Sequence, residues 1–158
     1  MALKELRDDG NDVGVPAAKP KHRILFVEDE DMNWEVGSLH LADKYQLLRA
    51  KNAMEVFQAL GRSDFHAILM DIQLAKSDLD GIQITQALRG KLVGELPAYA
   101  KGVKVTDLPI IFMTAYAARY SREFLLTVGG DDVLHKPVNF VSLASTLSRM
   151  VLRQLTRR

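Results

Sequence analysis

The stretch that decides the fold is Ile24-Leu25-Phe26-Val27-Glu28-Asp29-Glu30, in which four apolar residues are followed at once by three acids. An unbroken apolar run of this length is typical of a strand that is covered on both faces, as in a parallel sheet. Runs of the same kind follow at Ala67-Ile68-Leu69-Met70, Ile110-Ile111-Phe112-Met113 and Val133-Leu134. A weaker run, Tyr45 to Ala50, predicts an edge strand.

Segments with helical spacing separate these strands. They cover residues 32–42, 53–60, 82–89, 117–128 and 140–155, and the last has the clearest 3.6-residue apolar period. Strands that alternate with helices predict a doubly wound α/β fold, in which helices cover both faces of one parallel sheet. In such a sheet, ligands bind outside the carboxyl ends of the strands, so the residues that follow each strand are the candidates for function.

The composition excludes several classes of protein. The chain has 158 residues, enough for one domain with its own core, and its 21 Lys+Arg against 20 Asp+Glu give no indication of nucleic acid binding. It has no cysteine, which excludes disulfides and thiolate metal sites. No apolar run approaches the roughly 20 residues that span a bilayer, and no secretory signal is recognisable. We therefore expect a cytoplasmic protein without a membrane partner.

Two regions depart from the alternating pattern. Residues 1–21 are rich in polar residues and prolines, which predicts a flexible N-terminal leader before a single domain over residues 22–156. Inside that domain, the segment from about 90 to 107 is far longer than the roughly 2–6 residues usual between a helix and a strand. A connection of this length is expected to be either a functional surface or a disordered stretch.

The residues that follow the predicted strands form one chemical set. Glu28, Asp29 and Glu30 follow the first strand, Asp71 the third, Thr114 the fourth, and His135 and Lys136 the fifth. Carboxylates held close together repel each other and need a cation, and oxygen ligands suit Mg²⁺. A metal and an ammonium beside Asp71 would neutralise the charge that develops on a transferred phosphoryl group. Asp71 is therefore the predicted nucleophile, forming an aspartyl phosphate whose oxygen Thr114 can hydrogen-bond.

These pieces, in this order, resemble the response-regulator receiver family, the CheY-like domains of two-component phosphorelay signalling. The matching pieces, which cover roughly residues 22–155, are Ile24 to Glu30, Met70-Asp71-Ile72-Gln73-Leu74, Asp80-Gly81, Pro109 to Ala115, and Lys136-Pro137. The resemblance implies a flavodoxin-like (β/α)5 fold with the strand order 2-1-3-4-5.

The resemblance also implies a metal site. Asp71 resembles the phosphorylated aspartate of the family, Asp29 resembles the direct Mg²⁺ ligand, and Glu28 is the second acid of the pocket. The backbone carbonyl of Gln73 would complete the set of protein ligands. The loop from Asp71 to Gly81 is about two residues longer than the commonest spacing in the family.

A switch mechanism is implied by the remaining matches. Thr114 resembles the residue whose hydroxyl moves toward the phosphoryl group, and Lys136 resembles the lysine that pairs with the phosphoryl group. Pro137 follows Lys136, and the resemblance implies a cis peptide bond between the two. Movement of Thr114 would reshape the face made by the fourth helix, the fifth strand and the fifth helix. Val133 stands where the family usually has Tyr or Phe, which favours output through backbone shifts or another surface.

The resemblance predicts partners and leaves alternatives open. The phosphoryl donor would be a histidine kinase or a histidine phosphotransfer protein, and the signal would pass to a downstream protein or output domain; a homodimer is also open. The domain would be a signalling switch rather than an enzyme. One alternative is a phosphorylation-independent interaction module. Another is a small metal-dependent phosphohydrolase, which would need an acid or base where Gln73 stands. Glu28, Asp29 and Glu30 could also be a solvated turn that leads to Asp31 as a helix N-cap, and Asp71 could be a helix-capping carboxylate.

Overall fold

Five parallel strands form the centre of the computed structural model, which describes residues 19–103, 106–115 and 119–156. The strands are β1 (His22–Val27), β2 (Tyr45–Ala50), β3 (Ala67–Asp71), β4 (Ile110–Thr114) and β5 (Asp132–His135). Their order across the sheet is β2-β1-β3-β4-β5. The predicted doubly wound fold and its strand order are therefore confirmed, with β2 at one edge. Of the predicted leader, residues 1–18 lie outside the described residues, so the leader stays a prediction.

Among the described residues, four α-helices connect the strands and a fifth follows β5: α1 (Asp31–Leu41), α2 (Ala53–Arg62), α3 (Gly81–Leu88), α4 (Arg122–Val128) and α5 (Phe140–Thr156). The fourth begins later than the predicted residue 117, because the Ser121 hydroxyl accepts a hydrogen bond from the Phe124 amide and caps the helix there. Residues 117 and 118 themselves lie outside the described residues. No helix among those described has the length and apolar character needed to cross a membrane.

The sheet separates two apolar clusters, because successive side chains of a strand point to opposite faces. One face, covered by α2, α3 and α4, carries the buried side chains of Leu25, Val27, Ile68, Met70, Ile110 and Phe112. The other face, covered by α1 and α5, carries Ile24, Phe26, Leu69, Ile111 and Met113. Each fully buried side chain of this size contributes roughly 1.5–3 kcal/mol, so the central strands form a rigid platform for the residues at their ends.

The amino edge of the sheet, by which we mean the side where the strands begin, is held together by Arg89, which follows α3. Its guanidinium donates to the backbone oxygens of Thr106 (2.7 Å), Leu108 (2.8 Å) and Gly129 (3.0 Å). It also pairs with the Asp131 carboxylate at 3.0 Å. These bonds join the start of the long 90–107 segment to its end and to the turn before β5.

The described part of the 90–107 segment is folded rather than disordered. It contains a short 3₁₀ helix, Ala98–Ala100, and the Ala100 side chain is buried in the apolar cluster. The Tyr99 ring lies 5.8 Å from the ring of Phe57 on α2. The amide of Thr106 donates to the Leu88 carbonyl at the end of α3. The described residues of this segment are thus packed against the domain.

Candidate functional site

The carboxyl ends of four strands bring the predicted functional side chains to one edge of the sheet. Asp71 ends β3 and Thr114 ends β4, while Glu28 follows β1 and Lys136 follows β5. The strands run in parallel register, so their ends are level along this edge. A cleft of about 540 Å³ opens here, and its lining includes Asp29, Asp71, Gln73, Ala75, Thr114 and Lys136.

Three carboxylates meet at this edge of the sheet, and two of them, Asp29 and Asp71, line the cleft. Glu28, Asp29 and Asp71 each offer one oxygen, and these oxygens all lie within 4.8 Å of one another. Glu28 is only 1% exposed and Asp71 only 6% exposed. Burial, together with the negative charge of Glu28, raises the pKa of Asp71 to about 7. Burial and mutual repulsion therefore disfavour the full ionisation of this cluster.

Lys136 compensates part of that charge. Its ammonium nitrogen lies 3.2 Å from Glu28 Oε1 and 3.3 Å from Asp71 Oδ2. Burial works against the charge of Lys136, but the attraction of Asp71 and Glu28 is stronger and raises the pKa of the ammonium. Within the described part of the chain, the ion pairs of these carboxylates all involve this one lysine. One ammonium for three carboxylates leaves room for a further positive charge.

The end of β1 is stabilised by a residue that sequence reasoning missed. The Nε atom of Arg49, near the end of β2, donates to the Glu28 backbone carbonyl at 2.9 Å. Its Nη1 atom pairs with Asp31 Oδ1 at 2.7 Å. The Glu28 amide in turn donates to the carbonyl of Ala50. An arginine near the end of an edge strand, beside acids that follow the neighbouring strand, is the pattern that could have indicated this role.

The start of α3 depends on a glycine next to the central carboxylate. A Cβ atom on Gly81 would collide with the backbone carbonyl oxygen of Asp71, so no other residue fits without a shift. Asp80 and Gln83 form a reciprocal capping box at this helix end. The helix can therefore begin directly against the end of β3. The Asp80-Gly81 pair belongs to the matched pieces, but its steric reason was not predicted.

Thr114 and Gln73, the remaining predicted site residues, also border the cleft. Thr114 is 2% exposed and accepts a backbone hydrogen bond from the Lys136 amide at 2.8 Å. Gln73 is exposed in the loop after β3. The Lys136–Pro137 peptide bond is cis, as the resemblance implies. Val133 is buried in the apolar cluster that includes Phe112, so it packs as an aliphatic core residue.

Comparison with known proteins identifies the family. The family described as response regulator receiver domain matches residues 24–148. This chain is a member of that family. Receiver domains bind Mg²⁺ at an acidic pocket, and this chain has an acidic cluster formed by Glu28, Asp29 and Asp71. The chain therefore has the phosphoryl-accepting signalling function of a receiver domain.

The relatives include sensor proteins and histidine kinases. The sensor protein GacS of Pseudomonas syringae pv. syringae is 28% identical over 86% of this chain, which spans 14% of that protein. Hybrid signal transduction histidine kinase B of Dictyostelium discoideum is 30% identical over 73% of this chain, which spans 6% of that protein. The chain thus corresponds to a small part of these relatives.

A solved structure is similar in the same region. It is the receiver domain of a sensor histidine kinase from Pseudomonas aeruginosa PAO1, which is 30% identical with a TM-score of 0.64. The match covers 83% of this chain and 98% of that domain, which has a magnesium ion coordinated in its active-site cleft.

Proposed function

We propose that Asp71 is the phosphoacceptor of this receiver domain. The observation that carries the proposal is its position: Asp71 ends the central strand β3, contacts the Lys136 ammonium at 3.3 Å, and opens onto the cleft that Thr114 also lines. A phosphohistidine can approach from the open side of this cleft. The alternative interpretation of Asp71 as a helix cap is disfavoured, because Asp80 caps the following helix instead.

The transfer is a displacement at phosphorus. An Asp71 oxygen attacks the phosphorus atom, the phosphorus–nitrogen bond breaks, and the donor imidazole leaves with the bonding electron pair. Lys136 donates to a phosphoryl oxygen and offsets the charge that accumulates there. The Thr114 hydroxyl donates to another phosphoryl oxygen once the group is attached. Later hydrolysis restores the carboxylate when water attacks phosphorus and the Asp71 oxygen–phosphorus bond breaks.

We further propose that Glu28, Asp29 and Asp71 hold Mg²⁺, together with the Gln73 backbone carbonyl. The donor set fits this ion, since hard oxygen ligands and an excess of carboxylates over ammonium groups are what Mg²⁺ requires. When bound, the ion supplies positive charge that keeps Asp71 ionised and neutralises charge on the phosphoryl oxygens. A carboxyl group with a pKa of about 7 would otherwise be partly protonated at neutral pH and a poorer nucleophile.

The partners follow from this chemistry. A histidine kinase or histidine phosphotransfer protein would supply the phosphoryl group, which is consistent with the histidine kinases among the relatives. The domain would act as a switch for a downstream protein or output domain rather than as a metabolic enzyme. The buried Val133 supplies no aromatic ring, so the signal would leave through backbone shifts near Thr114. A cytoplasmic location and a homodimer stay predictions.

Phosphorylation in vitro tests the proposal. The protein is incubated with Mg²⁺ and acetyl phosphate, and its intact mass is recorded beside those of Asp71→Asn and Asp64→Asn. Asp64 is an exposed aspartate just before β3, so its variant is the matched control. We expect a phosphoryl mass gain in the wild type and in Asp64→Asn, and none in Asp71→Asn or after chelation. No gain in the wild type, where a reference receiver is labelled, would favour a phosphorylation-independent interaction module.

A further inference from the structure

The loop that follows the phosphoacceptor strand is held in a strained conformation. This loop, residues 72–80, includes Gln73 and joins β3 to α3. Lys76 within it has a φ of 57°, in the left-handed region that side chains other than glycine rarely adopt. Such a conformation persists only where surrounding contacts hold it. The contacts of this loop therefore determine how the cleft is shaped.

Two contacts join the 72–80 loop to the rest of the domain. The Ala75 amide donates to Asp29 Oδ2 at 2.8 Å, which joins the loop to the acidic cluster. The Ser77 hydroxyl accepts from the Ala53 amide at the start of α2 (2.9 Å) and donates to the Leu79 carbonyl (2.6 Å). The first of these contacts connects loop geometry directly to a proposed metal ligand.

A third contact comes from the 90–107 segment. The Tyr99 hydroxyl donates to Asp78 Oδ1 at 2.6 Å. Burial raises the pKa of Tyr99, and the neighbouring Asp78 raises it further, so the phenol stays a neutral donor. The ring is fixed by packing against Phe57, and the buried side chain of Ala100 anchors the adjoining turn. The segment is thus a firm support from which this hydrogen bond reaches the loop.

We propose that the 90–107 segment positions the 72–80 loop through the Tyr99–Asp78 hydrogen bond, and so sets the affinity of the acidic cluster for a divalent cation. Tyr99 and Asp78 are positioning residues, since they act through the loop on Asp29 and Gln73. This inference rests on the proposed function for its link to Mg²⁺. The segment is unusually long for a helix-to-strand connection, and on this proposal the extra length brings Tyr99 to the 72–80 loop.

Hydrogen exchange in metal-free protein tests the positioning step. Tyr99→Phe removes the hydroxyl but leaves the ring against Phe57. We expect the loop amides, such as that of Ala75, to exchange about fivefold faster, the effect of losing one hydrogen bond. The control is Tyr45→Phe, which removes a hydroxyl that lies 3.0 Å from Ser148 Oγ at a distant position. Equal exchange of the loop in both variants would overturn the proposal.

Titration with MgCl₂, followed by backbone amide shifts in NMR, tests the link to the site. We expect the Kd for Mg²⁺ to rise about threefold in Tyr99→Phe and in Asp78→Ala, as part of the lost hydrogen bond energy reaches the site. Asp78→Asn keeps the acceptor oxygen and should stay near the wild-type value. Tyr45→Phe should not change it. An unchanged Kd in both Tyr99→Phe and Asp78→Ala would refute the inference.

The two proposals fail in different ways. If the wild type takes up no phosphoryl group but Tyr99→Phe loosens the loop and weakens Mg²⁺ binding, the proposed function is wrong and the positioning role stands. If the wild type is phosphorylated and Tyr99→Phe leaves both the loop exchange and the Kd unchanged, only the positioning role is wrong.

Discussion

The amino and carboxyl edges of the sheet differ in how well their buried charges are balanced by opposite charges and hydrogen-bond partners. At the amino edge, Arg89 meets Asp131 at 3.0 Å, and its other donors reach backbone carbonyls. The Asp131 carboxylate also accepts from the Ile110 amide at 2.8 Å. At the carboxyl edge, where the strands end, Glu28 and Asp71 pair with Lys136, and the ion pairs of the described residues include no other cation for the acidic cluster.

This difference separates a structural site from a functional one. A buried charge stabilises a fold only when its partners satisfy it, and an unbalanced cluster reduces stability unless something else supplies the missing charge. The amino edge therefore contributes to stability on its own. The carboxyl edge reduces stability in exchange for affinity toward a cation and a phosphoryl group, and substitutions at the two edges should change stability in opposite directions.

The largest effect is expected at the amino edge. Arg89→Ala removes the donor to the carbonyl oxygens of Thr106, Leu108 and Gly129 and leaves Asp131 without its ion-pair partner. Unsatisfied buried groups of this kind should lower the free energy of unfolding by about 3 kcal/mol. Urea denaturation followed by circular dichroism measures the change. A loss below about 1 kcal/mol would mean that water replaces the guanidinium and that the amino edge is not a structural site.

At the carboxyl edge, by contrast, we expect a substitution to raise the free energy of unfolding. The folded pKa of Asp71, about 7, lies above its ordinary value near 3.8, so the folded state binds this proton more tightly than the unfolded state. The stability that this proton provides is therefore present at low pH and is lost as the pH rises through 7. In metal-free protein at pH 8, Asp71→Asn should raise the free energy of unfolding by about 2 kcal/mol.

Urea denaturation at two pH values checks this result. At pH 5 the folded wild-type carboxyl is protonated but the unfolded one is still mostly ionised, so the advantage of Asp71→Asn should fall to less than half of its value at pH 8. The exposed Asp64→Asn serves as the control and should match the wild type at both pH values. If Asp71→Asn is no more stable than the wild type at pH 8, the charge excess inferred for this edge is wrong.

The pH dependence of Mg²⁺ binding should also report the protonation of Asp71. A carboxylate must be deprotonated to bind a metal, so binding below the pKa of Asp71 requires the release of a proton. With a pKa of about 7, the Kd for Mg²⁺ should be about tenfold weaker at pH 6 than at pH 8. NMR titrations at the two pH values measure it. A Kd that is flat between them would show that Asp71 is ionised throughout.

The carboxyl edge was largely predictable from the sequence. Continuous apolar runs indicate buried parallel strands, and a parallel sheet brings whatever follows its strands to one edge. Glu28, Asp71, Thr114 and Lys136 could therefore be placed together without a structure, since only their order along the chain and the fold class were needed. Their individual roles stay predictions until phosphorylation is measured.

The amino edge and the loops were not predictable in the same way. Arg89 reaches Gly129, and Tyr99 reaches Asp78, by contacts that depend on how irregular segments fold back, which no periodic pattern encodes. The start of α4 was misjudged for a related reason. Tyr120 and Phe124 have helical spacing and their rings do stack, but the Ser121 cap begins the helix after Tyr120.

The smallest effect is expected from a second ion pair beside the amino edge. Arg122 lies 2.7 Å from Asp132 at the start of β5, closer than Arg89 lies to Asp131. The Arg122 side chain is 56% exposed, whereas that of Arg89 is 13% exposed. Solvent screens an exposed pair, so Arg122→Ala should cost only about 0.3 kcal/mol in the same urea measurement. If it costs as much as Arg89→Ala, then distance rather than burial determines the contribution of an ion pair here, and the contrast between the two edges would need a different physical basis.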